Sequence, residues 1–356
     1  MAEPATESPR RRDPRVVLLA VLVSLGVFYT LYFARQVILP IVIAVLLNFL
    51  FSPLVRWLKR RLKLPYGLSA ALIITLLVVV VGGTVYSLAA PAAEWVTKAP
   101  TSMHRIETKL KLLKRPVEQI NKTAERVEDL TNLSGGNDAT QVQVKGGGIR
   151  AAIFGSTQSL ITGAALVLTL LFFLLADGDV FMAKIVKVLP RLRDKKLALS
   201  IAQETEQSIS IYLVATTAIN VVLGILTGVA MWLIGLPNPT LWGIVGGLLN
   251  FVPYIGGLVA VIVLTLAGMA TFERTGAALL PGIIYFVLTN VESFVTPYIL
   301  GKRLSLNPVV VFIAVLFWGW MWGIAGALLA VPIMATTKLV CDRIKSLASV
   351  GEMLGK

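Results

Sequence analysis

Polar and apolar positions alternate along this chain on the scale of whole helices. Apolar runs of about 20 residues, enough to cross a bilayer as a helix, recur between short basic connections. They predict spans over residues 16–34, 37–55, 66–90 and 154–176, a fifth ending near Ile234, and a further one over 276–300. A transmembrane barrel would instead alternate polarity within ~10-residue strands. One polar stretch interrupts the pattern, residues 91–150, whose basic and acidic residues nearly balance. Within it Met103, Ile106, Leu110, Leu113, Val117, Ile120, Ala124 and Val127 recur at spacings of three and four. That is the period of helices packing side by side. It reads either as an oligomer contact outside the membrane or as a helix lying on the protein's own outer surface or on the headgroups. Pro116 is expected to break or kink it. Gly135–Gly136 and Gly146–Gly148 mark flexible joints.

From Ile209 to Phe272 no residue is charged, and the stretch carries half of an internal repeat. LWGIVGGLLNFVPYIG at 241–256 resembles MWGIAGALLAVPIMA at 321–335. Trp242-Gly243-Ile244 aligns with Trp322-Gly323-Ile324, Gly246 with Gly326, and Val252-Pro253 with Val331-Pro332. Paired segments interrupted by glycine and proline mark binding sites in broken-helix transporters. Each copy either crosses once or enters as two half-helices and returns. Two returning copies leave Lys302 and Arg303 on the same side as the other basic connections, which the positive-inside tendency favours. The expected fold is an all-α polytopic membrane protein with about six full spans and two re-entrant hairpins of inverted orientation, eight simple spans being the alternative.

Organisation follows from these runs. A disordered tail at 1–15 precedes spans one to three at 16–90. The extracytoplasmic amphipathic helical segment at 91–150 leads to span four at 151–176. A basic cytoplasmic loop and amphipathic helix at 177–208 feed a transport core at 209–340, and 341–356 is a cytoplasmic tail.

Composition agrees with the pattern. The chain is 56% hydrophobic and 15% charged, with a mean hydropathy of +0.80; soluble domains carry about 25% charged residues. The formal net charge of +14 does not indicate nucleic acid. The basic residues cluster in short connections, at Arg10–Arg12, Lys59–Arg61, Lys195–Lys196 and Arg343, which makes anionic lipid the natural partner. Both termini are expected in the cytoplasm. Cys341 and His104 are the only residues of their types, so a zinc or iron site built from them is excluded. The phosphate-binding pattern of ATP motors is missing. Neither a cofactor nor a metal is expected, nor enzymatic activity. Asp177-Gly178-Asp179 reads as a helix end with a glycine stop.

Glu292 carries the candidate chemistry. It is the only ionisable side chain between Arg274 and Lys302 apart from two tyrosines. A carboxylate at a helix centre costs on the order of 2.5–3.5 kcal/mol on insertion scales. It is therefore expected to face protein or water, as a substrate, cation or proton site. A carboxylate near the headgroups, or one satisfied by a structural partner, is the alternative. Asn250, Asn290, Thr296 and Tyr254 are candidate polar ligands. Pro253, Gly256, Gly257, Pro297, Pro332, Gly323 and Gly326 are candidate backbone breaks or close approaches.

The segments LWGIVGGLLNFVPYIGG, NVESFVTPYILGKRLSLNPVVVFIAV and WGIAGALLAVP, in that order, resemble the autoinducer-2 exporter-like family of bacterial membrane proteins, or PerM-like permeases. The family often has proline where Gly257 stands. The resemblance implies a multi-span permease of the bacterial inner membrane without ATPase machinery, assembling as a homo-oligomer, a pentamer in the family pattern. It implies export of a small polar solute such as autoinducer-2, or exchange of sodium or lithium for protons. A channel or a non-transporting scaffold is the competing class. A channel would need a continuous polar lining, and a scaffold would need no buried acid.

Overall fold

A computed structural model of the protein describes residues 14–128, 161–177, 192–300, 306–343 and 347–355, with side chains beyond Thr97 in the long third helix left aside. The expectations for residues 1–13, the side chains of the seam, the glycine joints, Gly178, Asp179, Lys302 and Arg303 lie outside it. The described residues are almost wholly helical. In chain order the helices are α1 (Pro14–Phe33), α2 (Arg35–Leu62), α3 (Tyr66–Glu128), α4 (Ile161–Asp177), α5 (Leu192–Leu233), α6 (Pro239–Leu249), α7 (Ile255–Thr271), α8 (Thr275–Leu300), α9 (Pro308–Arg343) and α10 (Ala348–Leu354). Segments of α2, α3, α5, α8 and α9 are long and apolar enough to cross a membrane, with α1 and α4 as shorter apolar helices. Leucine, valine and isoleucine side chains cover their outer faces, the surface that lipid would solvate. The chain is a polytopic all-α membrane protein.

The helix α3 runs unbroken past Pro116. Its backbone extends about 94 Å at 1.5 Å per residue, three times the thickness of a bilayer core, so it projects far beyond the bundle. Proline costs a helix one hydrogen bond, and here that loss does not end it.

One end of the bundle is basic. There α2 finishes with Lys59, Arg60 and Arg61, and the ammonium of Lys59 lies 3.5 Å from the centre of the Tyr66 ring, where α3 begins. Leu171 and Leu175 of α4 bury against Val55, Ala70 and Ile73 at this level. Around its fourth turn α5 joins this end through ion pairs: Arg56 of α2 with Glu206 at 2.9 Å, and Arg343, the last residue of α9, with Glu204.

The first repeat is a hairpin entering from the opposite end. Helix α6 runs back along α5, backbone against backbone. A Cβ on Gly243 would lie 2.5 Å from the carbonyl oxygen of Gly224, and one on Gly247 would lie 2.8 Å from that of Asn220. Only hydrogen side chains allow this approach. The chain breaks over residues 250–254, where Tyr254 takes a positive φ of 62°, and α7 returns. Trp242 at the start of α6 and Ala267 near the end of α7 share one buried cluster, against which Trp95 of α3 packs. Trp95 is far along α3 from the basic end, so the hairpin base lies at the other end. Helix α8 then runs antiparallel to α7, with Gly268 against Ala278 and Pro281, and Gly282 against Val261 and Thr265.

The second repeat enters from the basic end. Helix α9 is two arms meeting at Gly323, whose φ of 66° and ψ of −148° are open essentially to glycine alone. Val311, Ala314 and Val315 of the first arm bury with Ala330, Val331 and Ala335 of the second. Its base is closed by α10: the Asn307 amide donates to the Leu354 carbonyl at 3.1 Å, and Leu306 bridges to Gly355. Its tip reaches the turn between α1 and α2, where the Trp322 indole donates to the Leu31 carbonyl at 3.2 Å. Two hairpins thus enter from opposite faces, as the positive-inside argument favoured. The first tip rests on the second hairpin, with Val252 and Ile255 packed against its core.

The aligned sequences break at different places. The first copy breaks after the shared motif, over 250–254, and the second breaks within its start, at Gly323. Pro332 is consequently not at a break. It is buried inside the second arm, where the Thr336 hydroxyl donates to its carbonyl at 2.8 Å. Pro297 likewise lies inside a continuous α8.

Candidate functional site

Glu292 lies on α8, eight residues before its last residue, Leu300. It lines a groove of about 290 Å³ between α5 and α8. The other lining residues are aliphatic, among them Ala218, Val222, Leu226, Val291 and Val295. The carboxylate is partly buried and is the only charged group of that lining. Its described partner is one turn on, where the Thr296 hydroxyl contacts both Oε1 and the main-chain oxygen of Glu292. Pro297, adjacent, supplies no amide to the carbonyl of Ser293. The arrangement is a lone carboxylate with one hydroxyl in apolar surroundings, and it can hold one proton or one small cation.

The other candidate ligands are dispersed. Asn290 is exposed and donates to the Phe286 carbonyl of its own helix at 2.7 Å. It stands two residues from Glu292, which on a helix is a different face. Asn250 caps the end of α6, and its amide nitrogen donates to Oδ1 of Asn220 at 2.8 Å. Tyr254 is 57% exposed, with its ring against Phe312 at 6.5 Å. Gly256 is a close approach, since a Cβ there would fall 1.8 Å from the Leu249 carbonyl oxygen. Gly257 has ordinary room, since a Cβ there would lie 3.8 Å from Oδ1 of Asn250. Gly326 abuts the Trp318 carbonyl at the second tip.

The structure adds residues that the motifs did not single out. Asn220 on α5 is 2% exposed. Thr227, seven residues on, is also buried. The Tyr285 hydroxyl of α8 donates to the Gly246 carbonyl at 2.8 Å, tying α8 to α6. A polar layer therefore runs through the junction of α5, α6 and α8, with the Glu292 groove bordering the same three-helix unit. The available signal for Asn220 was an amide inside an uncharged span.

A family model described as AI-2E family transporter matches residues 18–346. The AI-2 transport protein TqsA of Escherichia coli K12 is 24% identical over 340 residues, covering 95% of this chain and 94% of that protein. The putative transport protein YhhT of the same strain is 25% identical over 359 residues, covering 98% and 97%. A putative transport protein of Borreliella burgdorferi is 28% identical over 205 residues, and the match spans 57% of this chain and 55% of that relative. This chain, a multi-pass membrane protein, belongs to the AI-2E transporter family.

Proposed function

We propose that this protein is a secondary transporter of the bacterial cytoplasmic membrane that exports a small polar solute such as autoinducer-2, coupled through Glu292. The observation that carries the reading is a carboxylate within a helix apolar enough to cross a membrane, in an otherwise aliphatic groove. Such a group is costly where it has no function, and its one hydroxyl partner leaves room for a proton to come and go. The inverted hairpins support the reading, because paired broken helices entering from opposite faces are the form of alternating-access permeases. The solute follows from the family and from the name of the relative TqsA. The basic end of the bundle faces the cytoplasm by the positive-inside rule, which puts both termini there and anionic lipid against Lys59–Arg61. The assembly is a homo-oligomer, in which the projecting part of α3 is the natural contact.

A second reading, exchange of sodium or lithium for protons, is favoured by the same lone carboxylate and hydroxyl, which suit one monovalent cation. Purified protein in proteoliposomes separates the two. Efflux of autoinducer-2 driven by an imposed proton gradient supports the first. Internal pH change on adding sodium or lithium, without autoinducer-2 movement, supports the second. Single-channel currents would remove both.

A further inference from the structure

The groove between α5 and α8 is built by one face of each helix. Leu288, Glu292, Val295 and Ile299 follow one another at helical spacing on α8. Ala215 and Ala218 face them from α5, and these two small side chains leave the space that larger ones would fill. Into this hydrocarbon wall the chain puts one carboxylate, half-buried and so open to the groove. The Thr296 hydroxyl is bonded to Oε1 of Glu292, and among the described residues none donates to Oε2. No basic residue is in the described lining. A negative charge in apolar surroundings is costly unless a cation meets it.

We propose that this groove binds a hydrophobic organic monocation, its cationic head against Oε2 of Glu292 and its alkyl or aryl body along α5 and α8. The inference rests on the reading of Glu292 as the functional carboxylate and adds a ligand class to it. The lone carboxylate fixes the charge at plus one. The aliphatic lining fixes the body, because a polar body would lose its water there and find no partner. A quaternary ammonium suits the head. Its methyl groups contact aliphatic side chains while its charge stays beside the carboxylate. The volume, about 290 Å³, is at the lower limit of small-molecule sites and takes one ligand of about a dozen heavy atoms. Ammonium heads occur both in free amphiphiles and in the aminolipids of a bilayer. The free amphiphile is favoured, because an aminolipid would bring its phosphate to a lining with no basic residue to meet it.

The test uses radiolabelled octyltrimethylammonium and full-length protein in phosphatidylcholine nanodiscs, with binding to empty nanodiscs subtracted. Saturable binding to wild type is expected. Octanoate has a similar tail and the opposite charge, and tetramethylammonium has the head without the tail. Each should compete at least tenfold less well. Glu292→Gln should weaken binding by at least about tenfold, through loss of the charge pair. Ala218→Phe fills the groove from an exposed position and should abolish binding while the helical circular dichroism is unchanged. The proposal is overturned if binding does not saturate, if either competitor matches octyltrimethylammonium, or if Glu292→Gln or a correctly folded Ala218→Phe binds as wild type does. It is also overturned if replacing half of the phosphatidylcholine with phosphatidylethanolamine displaces the cation, which would make an aminolipid the ligand. The assay needs no gradient, so it fails separately from the transport reading. Absent binding with proton-driven efflux intact removes the ligand class and keeps the function, and saturable binding without efflux does the reverse.

Discussion

Glutamine at position 292 keeps the shape of the side chain and removes its titration, which makes Glu292→Gln the sharpest single change in the molecule. Proton-driven transport in proteoliposomes is expected to be lost or to become independent of the gradient, with the protein still folded. Normal transport with unchanged pH dependence would make Glu292 a structural group. The neighbouring glycines at the first hairpin give a paired test of packing. Gly256→Ala places a methyl against the Leu249 carbonyl and should destabilise by about 1–3 kcal/mol, the usual cost of overpacking, seen as a lower melting temperature in detergent. Gly257→Ala meets ordinary contact only and should melt as wild type does. Equal melting temperatures would mean that α6 and α7 separate easily at their joint. At this scale the sequence was uneven. A lone acid between Arg274 and Lys302 stood out, because charge in an apolar run is visible in one dimension. Asn220 did not, because an amide is uncharged and its burial depends on α6 folding back over α5. Asn290 looked close to Glu292 because two residues separate them, and the helix turns it to another face.

The hairpins are legible as elements, and less so in their exact hinges. The repeated Trp-Gly-Ile and Val-Pro motifs identified two related segments, and the basic pair at Lys302 and Arg303 chose returning arms over simple crossings. Proline drew the hinge of the second copy toward Pro332. The chain instead turns at Gly323, where a conformation closed to other residues is needed, and several neighbouring glycines made that choice unreadable. The arrangement predicts sidedness. Cysteine at position 305, in a Cys341→Ser background, should resist a membrane-impermeant thiol reagent applied to intact cells. Ready labelling from outside would overturn the inward-facing base of the second hairpin. Long α3 was foreseen as a span followed by a separate amphipathic segment. It is one helix, because each half satisfies its own backbone and Pro116 removes a single hydrogen bond.

For the whole molecule, the projecting part of α3 is where the proposed homo-oligomer can be tested. The seam from Met103 to Val127 repeats with the spacing of packed helices. Replacing Leu110 and Leu113 together with Asp should shift native mass spectra toward smaller species. An unchanged distribution would confine the seam to local packing. At the other end, Arg56 and Arg343 hold α5 through Glu206 and Glu204. These pairs are largely exposed, so each contributes little to stability, and their service is to fix where α5 stands between α2 and α9. The closure of the second hairpin by α10 has a consequence for biogenesis. The residues that seal its base, Leu354 and Gly355, leave the ribosome after both arms. During synthesis the chain grows from its N-terminus, so the first hairpin finds its place while the second still lacks its seal. The two inverted halves are thus completed one after the other, and the later-made α10 commits the hairpin that enters from the basic side.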